Sequence, residues 1–169
     1  MLNGVSPSFR FRADSAAYWE AWVAAVLARA GLYTLHHPFL IDNLDHSQSV
    51  DLDVFRNYPG IVEDCGQTPL EIKSLSLEFN NSSDYPYEDV LVCSQSSFLK
   101  KWPGKEGIGR DFMLVSTVTG AMVWVPTGTR VGFKEVMDKS RNECKPTAYC
   151  QKAELRELGD FISKVKYGY

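Results

Sequence analysis

The chain has 169 residues, 44% hydrophobic and 12% aromatic, enough apolar volume for one well-buried core and too much for a disordered protein. Its 18 Lys and Arg against 21 Asp and Glu give a net charge of −3 and a pI near 5.6, so no global positive field draws it onto nucleic acid or anionic lipid. Contact with nucleic acid must then be local or helped by metal ions, and a single domain over residues 1–169 is expected, with a core over about 14–125.

Residues 1–12 read as an arm or short edge segment in which Phe9 and Phe11 alternate with Arg10 and Arg12. No basic segment followed by an apolar run opens the chain, and no apolar stretch approaches the ~18 residues of a membrane span, so a cytoplasmic protein without a signal peptide is expected. Asp14-Ser15 offers a helix N-cap, Trp19, Trp22, Val23, Val26, Leu27 and Ala30 form the stripe of an amphipathic helix, and Gly31 supplies its C-cap. Glu20 falls at the border of that stripe, where a carboxylate can reach over the rim of whatever the helix covers.

A first strand is expected over 32–41 and a polar loop over 42–48. Residues 49–55 alternate strictly through Val50, Leu52 and Val54, which predicts a half-buried strand with Asp51 and Asp53 together on its other face. Pro59-Gly60 predicts a turn, and a third strand runs from 68 to about 79. There Leu70 and Ile72 face one way and Glu71 and Lys73 the other. After Ser74 the apolar residues Leu75, Leu77 and Phe79 fall on the nominal face of Glu71 and Lys73, so the strand must end or bulge near 74–75.

Residues 80–87 form a polar loop, 89–93 a short buried strand, 94–102 a short helix, and 103–110 a loop with three glycines. A hairpin is expected from 112–117 and 121–125 around Thr119-Gly120, then a linker of mixed charge over 127–149 and an amphipathic helix over about 151–165. The four cysteines, Cys65, Cys93, Cys144 and Cys150, lack zinc-ligand spacing; ordinary thiols are expected, with a Cys144–Cys150 disulfide as the alternative.

Taken in order, the chain offers a helix with a border carboxylate, a strand with two aspartates, and an apolar strand bearing Glu71-Ile72-Lys73. Acidic side chains from adjacent strands and a helix can hold one or two hard divalent cations through oxygen. Such a cation activates a bound water and stabilises the charge that grows on a phosphodiester under attack.

This order resembles the PD-(D/E)xK nuclease superfamily over about residues 14–100. Tyr18-Trp19-Glu20-Ala21-Trp22 is similar to that family's first helix and Glu71-Ile72-Lys73 to its ExK motif. The resemblance implies an α/β protein with a restriction-endonuclease-like αβββαβ core, a mixed sheet flanked by helices, and here a C-terminal hairpin and helix. It implies a Mg2+- or Mn2+-dependent deoxyribonuclease acting on DNA, with pairing of two copies to reach both strands. Asp53 or Asp51 would stand in the place of the metal-binding aspartate, with Val50 and Leu52 where the family has proline. Both share a face, and the nearness of Asp51 to the strand start favours Asp53. With Asp53, the implied metal ligands are Glu71, Asp51 and Glu20, and Lys73 is the water-positioning residue.

Ser74, Gln95, Lys100, Lys101, Lys105 and Arg110 are the candidate nucleic-acid contacts, the basic ones grouped around Trp102 as a stacking surface flanked by charge would be. His36, His37 and His46 read as structural or solvated. Two other expectations stay open: a catalytically inactive nucleic-acid-binding or regulatory protein on the same fold, and an unrelated interaction protein whose Glu71 and Lys73 form an ordinary ion pair on a solvated sheet face.

Overall fold

Helix α1 (Pro7–Arg29) starts at a proline, whose fixed φ and missing N–H suit the first helical position. Asp14 and Ser15 therefore lie within the helix rather than at its cap, and the expected arm is helical from residue 7 onward. The computed structural model describes residues 7–37, 50–58, 66–138 and 142–168, the first eight of these by backbone alone. Along α1, Val23 and Leu27 are fully buried with Trp19, Ala24 and Val26 packed beside them. Trp22, assigned to the same stripe by spacing, is instead 42% exposed at its margin, and its indole N–H donates to the Gly120 carbonyl. Gly31 ends the helix at φ +80°, a conformation that costs a residue without a Cβ nothing.

Strands β1 (Tyr33–His36), β2 (Leu52–Phe55) and β3 (Thr68–Leu75) form an antiparallel meander. The chain then leaves the sheet through β4 (Asp89–Ser94) and α2 (Gln95–Lys101), and returns as β5 (Asp111–Ser116), parallel to β3. Ser94 caps α2 with its hydroxyl on the Ser97 N–H. The expected hairpin joins β5 to β6 (Met122–Val125), and the two-residue β9 (Arg156–Glu157) completes a mixed sheet of order β1-β2-β3-β5-β6-β9.

Two stretches fold differently from expectation. The supposed linker is a pair of strands, β7 (Gly132–Asp138) and β8 (Glu143–Gln151), which join β4 in a second sheet of order β4-β8-β7. Only Ala148 and Cys150 of β8 are buried, so charged and exposed positions outnumber apolar ones and hide the period of two. The supposed final helix begins seven residues later: a 3-10 turn at 152–154 and β9 precede α3 (Leu158–Tyr167). Cys144 and Cys150 are both free thiols; six residues apart on one strand, they lie about 20 Å from each other, beyond the reach of a disulfide. The expected turn at 59–60, most of the loop 42–48, His46 and Cys65 lie outside the described residues.

Three layers result. On one face of the main sheet, Leu52, Val54, Leu70, Met113 and Val115 pack against α1 and α3. On the other, Phe112, Leu114, Val123 and Val125 pack against Val90, Val92 and Ala148 of the small sheet, Phe98 of α2 and Trp102 at its C-terminal cap. Leu75 and Leu77 join this second core, and β3 ends at Leu75, so the face that carries Glu71 and Lys73 passes from polar to apolar along its length. No helix among the described residues is long and apolar enough to cross a membrane.

Asp111, 3% exposed, ties the helical layer to the sheet: it accepts from the Trp124 indole and the Thr127 N–H, both at 2.9 Å, and from Lys164 Nζ of α3 at 2.6 Å. Replacing it with Ala strands three donors, one of them, the Trp124 indole, in the interior. Asp111→Ala is expected to lower the unfolding free energy by about 3 kcal/mol, read from urea denaturation at pH 7. A loss below about 1 kcal/mol would mean that the contacts are made at the expense of equivalent contacts with water.

Candidate functional site

The alternation of β2 sends Leu52 and Val54 into the helix-side core and therefore turns Asp51 and Asp53 to the opposite face, the one that carries Glu71 and Lys73 on β3. Register then separates the two aspartates. Leu52 lies opposite Leu70, so Asp51 comes opposite Glu71, whereas Asp53 is opposite Pro69. The Asp51 N–H donates to the Leu70 carbonyl at 3.2 Å, and Asp51 Oδ2 accepts from the Ile72 N–H at 2.6 Å, completing the backbone pairing where β2 has not yet begun.

Asp51 is surrounded by features that oppose its charge. Burial pushes its pKa up to about 6, the Glu20 and Glu71 carboxylates add to the rise, and the Ile72 N–H and Lys101 offset part of it. Two carboxylates, from α1 and from β3, thus act on a third just before β2. Asp53 belongs to a different neighbourhood: its carboxylate meets His37 Nε2 at 2.7 Å. Glu20 makes the equivalent contact with His36 Nε2 at 2.6 Å. The two histidines, read from the sequence as structural or solvated, are carboxylate partners, and no spacing signal marks them as such because each pairing spans 16 residues.

Glu71 is held by cations. Lys101 Nζ lies 2.7 and 2.8 Å from its two oxygens, and Arg110 Nη1 stands 4.0 Å away. Lys101 comes from the last turn of α2, 30 residues downstream, and Arg110 from the loop that leads into β5. Both guanidinium and ammonium lie 5.9 Å from the centre of the Trp102 ring. That ring is seated on Gly109, where a Cβ would come within 2.3 Å of Trp102 Cδ1.

Lys73 shares the face of Glu71 but directs its ammonium at the small sheet, donating to the Leu91 carbonyl at 3.0 Å and the Val92 carbonyl at 2.8 Å. The register of β4 against β8 slips between Leu91 and Cys93, which turns those carbonyls toward the lysine. Burial lowers the Lys73 pKa, and Cys93 and Glu71 act in the opposite direction.

The remaining candidates divide by position. Ser74 is on the opposite face of β3 from Lys73, toward the helices. Gln95 opens α2, half-buried; Lys100 in its last turn and Lys105 in the loop that follows are exposed. Lys101 and Arg110, singled out from the sequence for nucleic acid, are here turned inward to Glu71.

Among the described residues no three His, Cys, Asp or Glu side chains close around a point as metal ligands. The donor chemistry nonetheless suits a hard divalent cation: Asp51 and Glu71 face one another across a strand pair with Glu20 in electrostatic contact, all three oxygen donors, and the crowding that raises Asp51 is what a cation would relieve. Comparison of the chain with protein-family models, with curated proteins and with solved structures gives no match.

Because folded Asp51 keeps its proton up to about pH 6 and an unfolded aspartate releases it near 3.8, the folded state carries the extra proton between these limits. Stability contributed by this group is therefore full below the lower value and is lost as pH rises through the upper one. Asp51→Asn keeps an acceptor for the Ile72 N–H and removes the charge. In urea denaturation without metal, the variant should exceed the parent by about 1–2 kcal/mol at pH 7.5 and match it below pH 4, discounting for partial exposure. A variant less stable than the parent at pH 7.5 would show that Lys101 and the Ile72 N–H more than offset the burial.

Proposed function

We propose that the chain is a metal-dependent DNA nuclease of the PD-(D/E)xK type, probing DNA as a phosphodiesterase with Asp51 and Glu71 as cation ligands, Glu20 as accessory ligand and Lys73 beside them. One observation carries the reading: a register that sets Asp51 directly across from Glu71, with Glu71-Ile72-Lys73 on a strand at the centre of a mixed sheet. The element order α1, β1–β3, α2, β5, with β4 of the small sheet inserted before α2 and β5 parallel to β3, supports a restriction-endonuclease-like core. Of the two aspartates, Asp51 is favoured over Asp53 because Asp51 comes across from Glu71, with Glu20 and Glu71 both acting on it, whereas Asp53 comes across from Pro69 and meets His37.

A Mg2+ or Mn2+ ion bound there would lower the pKa of a coordinated water and stabilise charge on the phosphoryl oxygens. The chain's own part is positional. Asp51 and Glu71 orient the water and the phosphodiester toward each other. Lys73, with two of its three N–H groups anchored on backbone carbonyls, has one left to hold the attacking water or a phosphate oxygen. Water adds to phosphorus and a P–O ester bond breaks, leaving a phosphate monoester and an alcohol. Exposed Lys100 and Lys105 form the local positive patch that an acidic protein needs to approach DNA, and two copies acting together would serve both strands.

A second reading is favoured by the Lys101–Glu71 contact: a catalytically inactive nucleic-acid-binding protein in which lysine permanently replaces the cation. Incubation with branched, double-stranded and single-stranded DNA in Mn2+ separates the two. Cleavage is expected to fall by at least about 10³-fold in Asp51→Asn and Glu71→Gln and about 10²-fold or more in Lys73→Ala, and to stay within about tenfold of the parent in Asp53→Asn. No cleavage of any substrate by the parent, or equal cleavage by Glu71→Gln, overturns the nuclease reading.

A further inference from the structure

We infer that Lys101 is a resident counter-ion of this site, one that a divalent cation must displace from Glu71 in order to bind. The inference rests on the metal-site reading above and adds to it the event that admits the ion. Both oxygens of Glu71 are engaged by Lys101, at 2.7 and 2.8 Å, so a cation approaching either oxygen meets the ammonium as a competitor. The pair is well shielded, with side-chain exposures of 15% for Lys101 and 19% for Glu71, so the two ions attract strongly and compete strongly with any third charge.

The other cations cannot give way in the same manner. Lys73 is fixed by the Leu91 and Val92 carbonyls, and Arg110 pairs with Glu71 only at 4.0 Å, beyond hydrogen-bond distance. Lys101 alone combines direct contact with a place to go. It ends a seven-residue helix, its ammonium already lies 5.9 Å from the Trp102 ring centre, and its neighbour in sequence, Lys100, is exposed. Charge balance favours the move. Glu20, Asp51 and Glu71 are matched by Lys73, Lys101 and Arg110 without metal; a dication added to that set leaves a surplus of two, which withdrawal of the Lys101 ammonium toward solvent halves.

Two measurements test the displacement. By calorimetry, Lys101→Met should bind Mn2+ about tenfold more tightly than the parent, because the competitor is gone and its stem is retained, and Asp51→Asn should bind neither tightly nor saturably. Equal or weaker Mn2+ binding by Lys101→Met, with parent binding that still depends on Asp51, overturns the displacement and leaves the metal site standing. Absence of Asp51-dependent binding in both proteins overturns the two together. In the unmutated protein, acetic anhydride labelling followed by peptide mass mapping should show Lys101 acetylated at least about threefold faster with saturating Mn2+, with Lys73 unchanged. Lys101 labelling that is unchanged or slower with Mn2+ overturns the proposal whether or not the variant folds.

Discussion

Asp51 and Glu71 face one another across an antiparallel strand pair, an arrangement that is unfavourable unless something positive lies between or beside them. Much of the surrounding structure answers that repulsion. The Ile72 N–H reaches one carboxylate and Lys101 grips the other, while Arg110 stands just outside contact. To bring Lys101 there, the chain leaves the main sheet after β3, builds β4 and α2 above it, and only then returns as β5. The small sheet and α2 thus serve two ends: they bury the second face of the main sheet, and they carry the positive charge that the acidic face requires.

Lys73 shows how the two ends are joined. A buried ammonium needs acceptors, and it finds them in the two carbonyls that the irregular pairing of β4 presents. The same contact fastens β4, and through it the start of α2, to the strand that bears Glu71. A substitution at Lys73 therefore touches both the chemistry and the anchoring of the layer above it. On the far face, Asp111 plays an architectural part by linking α3 to β5 and β6.

The sequence made α1, β2, β3, α2 and the β5–β6 hairpin legible because each has an apolar stripe of the right period or a local turn signal. It hid β7 and β8, whose one-sided burial rests on Ala148 and Cys150, and it placed the start of α1 too late because an internal Asp-Ser pair looks like a cap. Glu71 and Lys73 could be read as one face, and Asp51 and Asp53 as another. The choice between the aspartates could not be made from periodicity, since it depends on inter-strand register, and here the register favours Asp51 over the residue nearer the strand centre. Lys101 was visible only as part of a basic cluster. Its role at Glu71 arises from a packing angle between α2 and the sheet, and neither composition nor spacing encodes that contact in a recognisable way.

The central claim is that Asp51 and Glu71 together form a cation site, and anomalous diffraction from crystals soaked in Mn2+ tests it most directly. The account predicts a manganese peak bonded to carboxylate oxygens of both Asp51 and Glu71, with Lys101 Nζ withdrawn from Glu71 and Asp53 still on His37. A peak bonded to Asp53 without Asp51, or no peak at this face with Lys101 still on both oxygens of Glu71, would contradict it.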